Sequence, residues 1–228
     1  MERYAVIHDK FPREFILLQG RGCRWGQCTF CDYHHDTSDD PFGINKGVLK
    51  RVTGEYGVLD IINSGSGIEL DEQTIELIKE VVREKRIHTL WFEMHYMYRH
   101  RLAAFAAQFA PAKVKFRCGI ETFDGAQRKR WNKGVAADVT VDDVARYFQG
   151  VCLLCCTRGE SRERISSDIQ LAEKHFEYFS VNLFCNNGTS HERDEELVTW
   201  FIDEIYPSLI DSPKAEVLLN NTDLTVGG

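Results

Sequence analysis

Along the chain, short continuous apolar runs alternate with longer stretches in which apolar residues recur every three or four positions. Residues 15–18, Phe-Ile-Leu-Leu, form an unbroken apolar run of the kind a strand buried on both faces shows, and residues 58–63, Val-Leu-Asp-Ile-Ile-Asn, read as a second strand. Between Asp71 and Arg86, Ile75, Ile78, Val81 and Val82 share one helical face and charges occupy the other, so a helix is predicted there. Residues 87–92 read as a third strand and 101–109 as a helix. A fourth strand is predicted over 113–120, with Pro111 marking the break before it. Residues 151–156 and 179–184 complete six strands, followed by helices over 161–175 and 194–206. A shorter apolar run, 215–219, precedes a tail containing glycine.

Strands alternating with helices imply a parallel sheet with right-handed crossovers. Six units fall short of a closed eightfold barrel, so the expected class is α/β, a partial (β/α)6 TIM-like barrel. No linker, repeat or low-complexity segment interrupts the pattern. One domain over residues 1–228 is expected, with its core over about 14–205. In such folds the chemistry gathers in the loops that follow the C-terminal ends of the strands.

Composition narrows the function classes. The chain has 28 Lys and Arg against 35 Asp and Glu, a net charge of −7, which argues against a nucleic-acid binder. The basic runs Arg99-His100-Arg101 and Arg128-Lys129-Arg130 read as solvated helix faces. No run of about 18 apolar residues is present, so no membrane partner is expected. No apolar segment follows Met1-Glu2-Arg3-Tyr4, so the expected location is cytoplasmic. In that reducing compartment the 8 cysteines should be thiols, metal ligands or redox groups.

Three of them lie on the loop after the first predicted strand, Gln19-Gly20-Arg21-Gly22-Cys23-Arg24-Trp25-Gly26-Gln27-Cys28-Thr29-Phe30-Cys31, spaced C-x4-C-x2-C among glycines. Three thiolates can hold three irons of a four-iron cluster and leave the fourth open to N and O donors. Zinc, with His34 or His35 completing a Cys3His site, is a second reading, and three unligated thiols a third. Cys118, Cys152, Cys155, Cys156 and Cys185 fall in predicted strands or at their ends and read as core thiols. Cys152 and Cys155 point to opposite faces of a strand, which argues against a second cluster.

The loop resembles the cluster-binding loop of the radical S-adenosylmethionine (radical SAM) superfamily. That family usually spaces its cysteines C-x3-C-x2-C, with an aromatic residue before the third. Phe30 occupies the aromatic slot, and the first interval is one residue longer here. The resemblance continues in order through Asn63-Ser64-Gly65-Ser66-Gly67, Gly119-Ile120-Glu121-Thr122-Phe123-Asp124, Asn132-Lys133-Gly134, Thr157-Arg158-Gly159-Glu160-Ser161 and Val181-Asn182-Leu183-Phe184. It implies a [4Fe-4S] cluster on Cys23, Cys28 and Cys31. It also implies a SAM site drawing on Phe30, Ser64, Gly65, Ser66, Glu121, Arg158 and Asn182. The implied chemistry is reductive cleavage of SAM to a 5′-deoxyadenosyl radical, with flavodoxin or ferredoxin as the reductant.

Candidate catalytic groups are Glu93 and His95, which end the third predicted strand; Asn63, Tyr33 and His34 are candidate substrate contacts. A carboxylate with an Asn can pair with the amidine edge of a guanine-like base. The short chain is expected to leave no room for an RNA-binding appendage, which favours a free small molecule such as a 7-deazaguanine-like base. A compact radical SAM protein of this kind is similar to the queuine lyase group, expected to split queuine to 7-aminomethyl-7-deazaguanine for salvage into tRNA modification. The alternatives are another small radical SAM enzyme, of the deazaguanine synthase or glycyl-radical activase type, and a non-catalytic zinc-binding module.

Overall fold

In the computed structural model, the N-terminal segment Tyr4–Ile7 (β1) runs antiparallel to Arg13–Leu18 (β2), with Tyr4 opposite Ile16 and Ile7 opposite Arg13. Four residues are too few to show a period, so the apolar pattern does not announce β1. The structure describes residues 1–227, and of His34 the backbone alone. They divide into two compact units. Met1–Gly26, Tyr33–Phe116 and the chain from Leu224 make the first; Gln27–Asp32 and Arg117–Asp223 make the second.

In the first unit, β2 is followed by Phe42–Leu49 (α1), Val58–Asn63 (β3), Glu72–Glu84 (α2), Thr89–Met94 (β4) and Leu102–Ala106 (α3). The parallel register places Leu18 beside Asn63 and Ile61 beside Phe92. Ile16, Leu18, Leu59, Ile61, Leu90 and Phe92 are fully buried, and they recur at every second position, so each strand turns one face into the core. Asp71 caps α2 by accepting the Thr74 N–H at 2.9 Å. The third predicted strand is displaced: β4 starts at Thr89 and ends at Met94, so Glu93 lies within it and His95 follows it directly. The predicted helix over 101–109 is α3 flanked by tighter helical turns, Tyr96–Arg101 and Ala107–Phe109. Ala5, Phe15 and Leu17 pack with Val226, and Glu2 bridges Gly227, so both ends of the described chain belong to this unit.

Lys113–Glu121 (β5) begins in the first unit and ends in the second. There follow Gly125–Arg130 (α4), Val141–Ala145 (α5), Gly150–Cys155 (β6), Arg162–His175 (α6), Tyr178–Leu183 (β7), Glu195–Trp200 (α7), Tyr206–Ile210 (α8) and Ala215–Leu218 (β8). The strands are parallel in chain order, with Arg117 beside Gly150, Val151 beside Phe179 and Val181 beside Val217. Strands β2 to β7 are thus the six read from the pattern, and β1 and β8 extend them. Cys118, Cys152, Cys155 and Cys156 are buried and Cys185 is half-buried, and none is in a disulfide. Among the described residues no helix is long and apolar enough to cross a membrane.

One expectation is corrected here. Arg128 is fully buried rather than part of a solvated face. Its guanidinium donates to the carbonyls of Thr122 (3.1 Å), Ala136 (3.0 Å), Ala137 (3.3 Å) and Val139 (2.8 Å). These carbonyls flank α4 on both sides, and a planar fork with five donors can serve several at once.

Candidate functional site

The cysteine loop up to Gly26 belongs to the first unit. Cys23 is half-buried there, and Gly26, at φ +55°, donates its N–H to Cys23 Sγ at 3.4 Å. A Cβ on Gly26 would stand 2.9 Å from the Cys23 carbonyl oxygen, so this turn requires glycine twice over. The Arg24 N–H reaches both oxygens of Glu69, at 3.3 and 3.4 Å. Trp25 stacks on His95 with ring centroids 6.1 Å apart and planes 19° apart.

The turn after β3 faces the same loop. Ser64 Oγ accepts the Gly20 N–H at 3.2 Å, and Ser66 Oγ accepts the His95 N–H at 2.9 Å. A Cβ on Gly65 would stand 2.3 Å from Glu69 Oε2 and 3.2 Å from Cys23 Cα, so the missing side chain lets the two segments meet. Glu69 Oε2 also accepts the Ser66 N–H at 3.1 Å, and Tyr98 donates its hydroxyl to Glu69 Oε1 at 2.5 Å. Burial, and next the Glu69 carboxylate, push the Tyr98 hydroxyl well above the usual tyrosine range. Asn63 donates its Nδ2 to the Ser66 carbonyl at 3.4 Å, while its Oδ1 is buried without a hydrogen-bond partner. His95 is buried, and its Nδ1 accepts the Met97 N–H at 3.1 Å, which assigns the proton of a neutral ring to Nε2. Glu93 is half-buried and Tyr33 exposed; the side chain of His34 lies outside the described residues.

Gln27–Asp32 belongs to the second unit. Cys28 and Cys31 are half-buried and joined by a Cys31 N–H to Cys28 carbonyl bond at 3.3 Å. Phe30 is buried against Trp131 and Phe184, meeting the Trp131 ring edge-on with centroids 5.3 Å apart. Backbone and amide bonds hold the segment. Thr29 N–H donates to the Trp131 carbonyl (3.0 Å), Asn132 Nδ2 to the Gln27 carbonyl (3.0 Å) and Asn187 Nδ2 to the Phe30 carbonyl (2.8 Å). The Asn132-Lys133-Gly134 motif therefore clasps the loop. Lys133 Nζ donates to Glu121 Oε1 at 2.8 Å and lies 5.7 Å from the Phe30 ring centroid. Burial works against the Lys133 charge, yet the Glu121 carboxylate outweighs it and holds the ammonium above the usual lysine range.

Elsewhere in this unit, Asp168 accepts the Thr122 hydroxyl (2.6 Å) and the Phe123 N–H (2.8 Å); burial still raises its carboxyl above the ordinary range. Asn182, on β7, has a buried Oδ1 with no hydrogen-bond partner. Arg158 is largely exposed and pairs with Glu192.

Among the described residues, no three His, Cys, Asp or Glu side chains form a ready group for a single metal ion. The donor chemistry nonetheless fits a cluster: three half-buried cysteines on one loop, none in a disulfide, one of them already receiving a backbone N–H. The orphaned Asn63 Oδ1 and Asn182 Oδ1 fit a bound polar ligand, because a buried acceptor is ordinarily paired. Sequence reading missed Glu69, Tyr98 and Asp168. Glu69 stands two residues beyond the segment singled out there, and only its neighbours in space reveal it.

No protein-family model matches the chain, and no curated protein does. Among solved structures, a queuine lyase from Clostridium spiroforme bound to SAM and queuine is 40% identical, with 100% of both chains covered and a TM-score of 0.94. The chain belongs to the queuine lyase group of radical SAM enzymes. Two structures of Streptococcus suis SuiB, one bound to S-adenosylmethionine and one to precursor peptide SuiA, match 92% of the chain. They match it at 14% identity and TM-scores of 0.57 and 0.58, and it covers 48% and 49% of theirs. Those two bear on the fold alone. Like other members of the queuine lyase group, this protein is an enzyme, and its fold is the α/β partial barrel expected from the pattern.

Proposed function

We propose that the protein is a queuine lyase, which cleaves SAM reductively and splits queuine to release 7-aminomethyl-7-deazaguanine. The observation that carries this reading is the 40% identity, over the whole of both chains, to an enzyme bound to SAM and queuine. Cys23, Cys28 and Cys31 would hold a [4Fe-4S] cluster, leaving one iron open to the N and O donors of SAM. When bound and reduced, that cluster supplies the electron that turns SAM into methionine and a hydrogen-abstracting 5′-deoxyadenosyl radical.

The chain's own residues bind and orient. Asn63 Oδ1 and Asn182 Oδ1 each offer a buried acceptor to a ligand N–H or O–H. Leaving such an atom unpaired costs about 1–3 kcal/mol, which a bound donor recovers. Asn63 serves the substrate, and Asn182 the cofactor together with Phe30, Ser64, Gly65, Ser66 and Glu121. With Nδ1 engaged by Met97, neutral His95 donates from Nε2, so it orients an acceptor on the substrate rather than taking a proton at Nδ1. Glu93 is the carboxylate for the amidine edge of the base. The substrate is a free small molecule, the reductant is flavodoxin or ferredoxin, and the setting is cytoplasmic.

The test is anaerobic incubation of the reconstituted protein with queuine, SAM and dithionite. Release of the deazaguanine base in step with 5′-deoxyadenosine is expected, and 5′-deoxyadenosine without that base sinks the lyase assignment. The reconstituted protein should be brown and carry about four irons. A colourless protein with one zinc would return the zinc-module reading.

A further inference from the structure

The cysteine loop is one residue longer than the usual spacing, and in the first unit the residues just after Cys23 are held by specific bonds. Between Cys23 and Cys28 the chain turns back at Gly26, whose N–H points at Cys23 Sγ. Before that turn, the Arg24 N–H is held by both oxygens of Glu69. Glu69 is itself fixed from two further sides, by the Ser66 N–H at 3.1 Å and the Tyr98 hydroxyl at 2.5 Å. One carboxylate thus ties three segments together: the residue after Cys23, the turn after β3, and the helical turns after β4.

The chemistry of the three donors explains the residue type. An ionised carboxylate is acceptor-only and has lone pairs for two backbone N–H groups and a hydroxyl at once. Hydrogen bonds to a charged acceptor are roughly twice as strong as neutral ones. Gln in its place could accept at one oxygen but would turn an NH2 toward either the Ser66 or the Arg24 N–H. Gly65 completes the arrangement, because any side chain there would collide with Glu69 Oε2.

We propose that Glu69, keyed by Tyr98, is a positioning residue that sets the place of Cys23 in this lengthened loop. It acts on the cysteine through the Arg24 backbone, without itself being a ligand. The proposal rests on the cluster reading above, and its test separates the two.

In the cluster-free full-length protein, anaerobic alkylation of each cysteine by iodoacetamide is followed by mass spectrometry. Glu69→Ala should change the rate at Cys23 several-fold and leave Cys28 and Cys31 at wild-type rates; Glu69→Gln and Tyr98→Phe should move Cys23 the same way by less. A merely structural role would move all three cysteines together. After reconstitution, the Glu69 variants should retain fewer irons than wild type, or show an altered electron paramagnetic resonance signal on adding SAM. Wild-type Cys23 alkylation in Glu69→Ala, or a change shared equally by all three cysteines in each variant, overturns the proposal. Should Glu69→Ala fail to fold, the Cys23-selective change in Glu69→Gln and Tyr98→Phe decides it. A wild-type protein that takes up no four-iron cluster would instead overturn the cluster reading, whatever the alkylation shows.

Discussion

Lys133 Nζ lies 2.8 Å from Glu121 Oε1, and both side chains are buried where β5 ends. Removing one partner of a buried ion pair leaves an uncompensated charge, which costs about 3–5 kcal/mol. Lys133→Met should therefore lower the unfolding free energy by about that amount in urea titrations. Adding Glu121→Gln should restore much of the loss, since an apolar or neutral pair avoids the stranded carboxylate. Equal stability of the single and double variants would contradict this account.

Arg128 makes a sharper prediction about side-chain shape. Lysine keeps the charge but has a point-like head with three donors, whereas Arg128 serves four carbonyls from a planar fork. Arg128→Lys should destabilise the protein by about 1–3 kcal/mol for each carbonyl left without a donor. Arg128→Met should cost more. Denaturant midpoints would check both, and a neutral Arg128→Lys variant would show that charge alone matters.

The raised carboxyl of Asp168 gives a pH signature. Burial favours its neutral form, so the folded state holds this proton more tightly than the unfolded chain does. The stability linked to that proton is fully present below the ordinary aspartate range and is lost as pH rises through the raised folded value. Asp168→Asn does not titrate. Wild type should therefore lose stability relative to the variant as pH rises upward from the ordinary aspartate range, read from thermal unfolding. A relative gain by wild type would reverse the assigned cause.

Among the cysteines, iron should discriminate sharply. Cys28→Ala should lose the cluster and all SAM cleavage, whereas Cys118→Ala, at a fully buried strand position, should keep its iron at a modest cost in stability. Iron per chain after anaerobic reconstitution is the measurement. Full iron in Cys28→Ala would overturn the ligand assignment.

How much of this was legible beforehand depended on how local the signal is. Strands β2 to β7 stand out because each carries a short cluster of buried apolar residues between polar stretches, with β2 the most fully buried. Strand β1 is fixed by pairing with β2 and α5 is only five residues long, so neither shows a period. The cysteine loop was readable because its chemistry lies in consecutive residues. The Glu69–Tyr98 bond joins positions 29 apart, and nothing in either local context marks it. Arg128 misled for a related reason: three basic residues in a row read as a wet surface, and only the folded chain brings four carbonyls within reach of its guanidinium.

The placement of Gln27–Asp32 also bears on the order of assembly. This segment belongs to the second unit although the chain on either side of it belongs to the first. One of the bonds that hold it, from Asn132 to Gln27, spans 105 residues. During synthesis the segment leaves the ribosome long before Trp131 and Asn132 exist to receive it, and closing so long a loop is entropically slow. Cys28 and Cys31 therefore stay undocked until Trp131 and Asn132 have been made. Iron can be loaded onto a finished protein, but a nascent chain offers it only loose sulfur.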